Sequence, residues 1–203
     1  MFGLGKKARE QRALEDAFRK IDRMLSDDDM QLRILGPHQY STFKALSAID
    51  KHRDPEGEFG RAIGNPIPTN GPIGSISYLS NLRSEGRHRL LFHRIGAIEK
   101  VDLYEYTSLG GENFGFLMID MYHSRKSKIC PDGFTFAGQT SQLTGFNHFW
   151  DDFPFGYAEQ KAALPEDYRL LYASIETVAK EMDGRSFQAP DEHLLFKEAL
   201  LGG

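Results

Sequence analysis

Apolar positions along the middle of the chain fall into three runs with the period of a β-strand. They are Leu90–Ile98, Val101–Ser108 and residues 113–123. The joints between them, Glu99-Lys100 and Leu109-Gly110-Gly111-Glu112, are too short to carry a crossover, so the strands must be antiparallel neighbours in a β-meander spanning about residues 90–123. In the third run Phe114, Phe116 and Met118 point one way and Leu117, Ile119 and Met121 the other. Two apolar faces predict a central strand covered on both sides.

The chain ends show the helical period instead. Leu14, Phe18, Ile21 and Leu25 form a stripe in a predicted helix over residues 7–25, with Arg9, Arg12, Asp16, Arg19 and Arg23 opposite. Residues 26–50 predict two shorter helices. Ser26 or Asp27 caps the first, Gly36-Pro37 separates them, and the second carries Phe43, Leu46 and Ile49 on one side. Near the other end, Pro165 opens a helix with the stripe Tyr168, Leu171, Ile175, Val178 and Met182, and Pro190 opens a last one reaching about Leu201. Strands and helices are segregated along the chain. The expectation is an α+β fold: one domain over residues 1–203, its meander covered by N-terminal and C-terminal helices, with the helical segment 1–50 able to pack as a subdomain.

Two stretches predict neither period. Residues 51–60 are polar and read as a loop. Residues 64–74 hold three prolines, three glycines and two asparagines, which predicts an irregular crossover into the sheet; if Pro72 opens a helix, its N-terminal amides can hold an anion. Further on, Ile76, Tyr78 and Ser80 also fit a strand. Residues 124–157 are irregular and rich in aromatics, among them Phe146, Phe149, Trp150 and Phe153, which make either a local core or a surface for a partner.

Composition narrows the class. Of the 203 residues 40% are hydrophobic and 27% charged, a globular balance. A single cysteine, Cys130, rules out an internal disulfide and points to a reducing, cytoplasmic setting. No apolar run is long enough to span a membrane, and the formal net charge of -4 argues against nucleic acid as a partner. The basic first helix, with seven cations and four acids in residues 1–25, reads as a surface helix rather than a membrane anchor.

Candidate chemistry gathers at the end of the third strand. Tyr122-His123-Ser124-Arg125-Lys126 offers an acid–base imidazole beside two cations suited to phosphate or carboxylate. Together with Asn70 and Gly71 of the proline-rich stretch and Trp150 of the aromatic one, these residues make a candidate ligand site, with His123 as its catalytic candidate; a solvated basic turn is the plainer reading. Histidines 88, 93, 123 and 148 show no spacing of a metal motif, so no metal and no cofactor is expected. Cys130 precedes a turn and carries no nucleophile signature. Glu105 and Asp120 lie on neighbouring strands and could meet as an acid–base pair, but the expectation is that one of them pairs with Arg94 across the sheet. The leading expectation is a soluble, bacterial-type, cytoplasmic protein that works without catalysis by binding a protein, itself or another. The alternative is a small enzyme or ligand-binding domain for an anionic small molecule.

Overall fold

The three central runs form the expected meander, and the fold is α+β. In the computed structural model, which describes residues 3–137, 153–154 and 184–202, the helices α1 (Gly3–Ser26), α2 (Asp28–Ile34) and α3 (Pro37–Lys44) come first. Then follow β1 (Ile67–Pro68), α4 (Gly71–Asn81), β2 (Leu82–Ser84), β3 (Leu90–Ile98), β4 (Val101–Ser108), β5 (Phe114–Asp120), β6 (Phe134–Phe136) and α5 (Asp191–Leu201). The main sheet has the order β1-β5-β4-β3, with β3, β4 and β5 antiparallel and β1 parallel to β5. Strands β2 and β6 pair separately. Strand β4 is buried at every position, so the doubly covered strand is β4 together with the middle of β5.

Local chemistry accounts for the helix boundaries. Asp27 caps α2 by accepting from the amides of Asp29 and Met30, and Pro37 opens α3. Helix α3 ends at Lys44, so Leu46 and Ile49 lie in the following irregular segment rather than on a helix face. Of the α1 stripe, Leu25 is buried in the main core; the side chains of Leu14, Phe18 and Ile21 fall outside the described residues, as does the predicted helix from Pro165.

Residues 64–74 depart from expectation. They contain strand β1 and the start of α4, and α4 also removes the strand reading of Ile76, Tyr78 and Ser80. The prolines suit both elements. Pro68 sits on an edge strand, where a missing donor is tolerated, and Pro72 occupies the first turn of α4. Gly71 turns the chain between them at φ +78°, and a Cβ there would meet Leu35 at 3.0 Å.

Helix α4 is buried almost all round, as its run of glycine, serine and isoleucine suggests. It lies against one face of the sheet, where Ile73, Ile76, Tyr78 and Leu79 join Phe92, Tyr104, Leu117 and Ile119 in the main core. Helices α1 and α2 pack on α4, and α1 reaches that core through Leu25. A smaller core of Ile95, Val101, Leu103, Phe116 and Met118 fills the opposite face, with Leu200 of α5 packed on it. No helix among the described residues is long and apolar enough to cross a membrane.

Candidate functional site

The parallel pairing of β1 with β5 places the carboxyl ends of both strands together, with Pro68 opposite Asp120. Backbone hydrogen bonds continue beyond the strands: Thr69 donates to Asp120 (2.8 Å), His123 to Thr69 (3.1 Å) and Gly71 to Met121 (2.8 Å). The proline-rich stretch and the segment after β5 therefore share one edge, which brings Asn70, Gly71, His123, Arg125 and Lys126 together. Trp150 lies outside the described residues.

The two cations of this edge face acids of the same chain. Arg125 Nη1 donates to Asp50 at 2.6 Å and to the Lys126 carbonyl at 2.8 Å. Lys126 Nζ is bound by Asp28 of α2 and donates at 2.8 Å to the fully buried Gln31. Gln31 in turn donates to the Met24 and Leu25 carbonyls that end α1. Burial pushes the Lys126 ammonium below its usual pKa, and Asp28 opposes that shift. Asn70 Nδ2 binds the Asp28 carbonyl at 3.0 Å. Asn70 and Lys126 thus anchor the β5 exit to α2, and Arg125 anchors it to the irregular segment after α3.

What that anchoring presents is His123. The ring is buried, with Nε2 3.0 Å from Asp120 Oδ2 and Nδ1 3.1 Å from Ser47 Oγ. Asp120 uses its other oxygen to accept the Tyr122 amide at 3.0 Å. Burial alone would raise the Asp120 carboxyl, but the bonds from His123 and Tyr122 outweigh it and hold the group below its ordinary pKa. Ser47 is exposed, so an exposed serine hydroxyl, a buried imidazole and a partly buried carboxylate follow one another. With its proton on Nε2, His123 donates that N–H to Asp120 and accepts from Ser47 through Nδ1, which is the arrangement of a general base.

A third group completes the cluster. His52, from the 51–60 loop, sets its ring edge-on to His123 at 5.6 Å and its Nε2 3.8 Å from Asp120 Oδ2. One ligand-type atom from each of His52, Asp120 and His123 lies within 4.8 Å of the others. The buried His52 Nε2 has no hydrogen-bond partner. Burial, aided by His123, keeps this imidazole below its ordinary pKa against the pull of Asp120. Outside the cluster, Tyr122 is exposed and stacks on Phe43 at 5.9 Å, forming an aromatic lip.

Sequence reasoning placed His123 and Asp120 three residues apart but missed Ser47 and His52, which arrive from a distant loop with no local signal. Glu105 and Asp120 do not meet. Glu105 lies opposite Phe116 while Asp120 lies opposite Val101, four residues along the strand. Arg94 pairs with Asp102 at 2.9 Å instead. Glu105 accepts from His93 (2.6 Å), and from His193 (2.6 Å) and Lys197 (2.7 Å) of α5. Cys130 is partly buried, and burial raises its thiol pKa, the opposite of an activated nucleophile.

No protein-family model matches the chain, and comparison with curated proteins and with solved structures finds no match.

Proposed function

We propose that this chain is a small enzyme or ligand-binding domain whose working site is the shared edge of β1 and β5, with His123 at its centre. The observation that carries the reading is the line from exposed Ser47 through buried His123 to Asp120. A buried imidazole held at both nitrogens keeps one orientation, and it meets solvent through a hydroxyl it can activate. The reaction class this supports is attack by a hydroxyl or water on a small polar ester, amide or phosphoester. The aromatic lip of Phe43 and Tyr122 offers a surface for the rest of the substrate. Arg125 and Lys126 hold the site in place; an anionic substrate would have to displace Asp50 and Asp28 from them.

The test is turnover of p-nitrophenyl acetate and p-nitrophenyl phosphate by the whole chain. We expect slow hydrolysis of at least one, reduced about 100-fold or more in His123→Ala and unchanged in His38→Ala, a substitution of a surface histidine in α3. Failure of the unmodified chain to turn over either compound, or full activity in His123→Ala, refutes the reading.

A second reading, a module that binds a protein, is favoured by one observation. Leu194, Leu195 and Leu201 of α5 are exposed, Leu195 by 65%. Leu195→Glu would then abolish self-association or partner capture measured by light scattering, and unchanged behaviour would remove it.

A further inference from the structure

We infer that His52, Asp120 and His123 form a binding site for one first-row divalent metal ion, of the zinc or ferrous class. The proposal rests on the reading of this edge as the working site, and it names the cofactor that site would use.

The donor set is two imidazole nitrogens and one carboxylate oxygen, which suits zinc, iron and their neighbours and leaves coordination positions open. The two spans from Asp120 fit as well. Asp120 Oδ2 is 3.0 Å from one imidazole nitrogen and 3.8 Å from the other. An ion about 2.1 Å from each donor would see those spans at about 90° and about 130°, within the range of tetrahedral and five-coordinate sites.

Two of the three donors are also held from behind. Asp120 spends Oδ1 on the Tyr122 amide, which leaves Oδ2 facing the two rings. Ser47 Oγ stands at His123 Nδ1, where a metal-bound imidazole needs an acceptor for its remaining N–H. His52 supplies the observation that points to a missing ligand. Its Nε2 is buried, faces Asp120 and makes no hydrogen bond. A buried polar atom left unsatisfied is costly, and an ion at the cluster would satisfy it. With the ion in place, Ser47 becomes a support for His123, and ion-bound water takes over as the attacking group. The ion also brings the positive charge that a phosphate- or carboxylate-bearing molecule needs, which Arg125 and Lys126 already give to Asp50 and Asp28.

Isothermal titration of the chelator-treated full chain with Zn2+ alone tests the site. We expect one ion per chain, binding at least about 100-fold weaker in His52→Ala and Asp120→Asn, about 10- to 100-fold weaker in Ser47→Ala, and unchanged in His38→Ala. His52 makes no hydrogen bond through Nε2, so His52→Ala is the variant that best preserves the fold; Asp120→Asn, which can still accept the Tyr122 amide, is the second. No zinc uptake by the unmodified chain, or equal affinity in His52→Ala, overturns the proposal. The two readings fail separately. Ester turnover unaffected by chelation, with no zinc bound, ends the metal site and keeps the hydrolytic one. Tight zinc binding lost in His52→Ala, without turnover of either p-nitrophenyl compound, keeps the metal site and ends the hydrolytic one.

Discussion

The main sheet carries two clusters built from the same parts, a carboxylate between two histidines, and they differ in how completely they are closed. In the first, Glu105 on β4 receives His93 from β3 and His193 from α5, with Lys197 balancing its charge. Each ring also lies flat on a phenylalanine: His93 on Phe153 at 4.2 Å and His193 on Phe116 at 4.3 Å. In the second, Asp120 receives His123 but stands 3.8 Å from His52, and the outermost member, Ser47, is exposed. Burial of a carboxylate is tolerated when donors saturate it, as at Glu105, where they overwhelm the raising effect of burial and hold the carboxyl far below its ordinary pKa. The first cluster is a clasp that fixes α5 to the sheet. In the second, His52 stands off from Asp120 and no lysine or arginine among the described residues balances that carboxylate, which leaves room for an external cation.

Breaking the clasp should have the largest effect. Glu105→Ala removes the acceptor of three donors and should cost about 3–5 kcal/mol in chemical denaturation; a loss near zero would mean α5 is held by its apolar contacts alone. Acid should act in the same direction. The Glu105 pKa is lowered in the fold, so its contribution is fully present above the ordinary value of 4.5 and is lost as pH falls from there toward the folded value. The protection of α5 amides, after correction for intrinsic exchange at each pH, should therefore fall below that pH, and unaltered protection there would contradict the clasp. The anchor of the open cluster ranks next. Lys126→Met removes the ammonium that Asp28 and Gln31 share and should cost about 1.5–3 kcal/mol. The smallest effect should come from His52→Ala in metal-free protein, within about 0.5 kcal/mol of the unmodified chain. A large loss there would show that His52 is structural and dissolve the contrast between the clusters.

How far the sequence foretold these features follows from the range of the interactions. The meander was legible because its turns are local: Glu99-Lys100 can only reverse the chain, and the register that puts His93 opposite Glu105 follows from that joint and a bulge between Arg94 and Gly96. The Asp27 cap and the Pro37 and Pro190 starts were legible for the same reason. Residues 64–74 were misjudged because proline and glycine usually break structure. Here Pro68 lies on an edge strand and Pro72 in a first helical turn, two places that do not need their donors. Asn70, Gly71, His123, Arg125 and Lys126 lie on one edge because a strand exit and the segment beside it are tied by backbone hydrogen bonds. The sign of the chemistry was harder to see. Only the fold shows that Arg125 and Lys126 meet Asp50 and Asp28, or that His52, 68 positions before Asp120, arrives beside it.

The central claim, that His52, Asp120 and His123 act together on one ion, is tested most directly by the visible spectrum of the chain loaded with one equivalent of Co2+. We expect the intense bands of four- or five-coordinate cobalt in the unmodified protein and their loss in His52→Ala. The weak spectrum of hexa-aqua cobalt in both proteins, or the same intense bands in both, would contradict it.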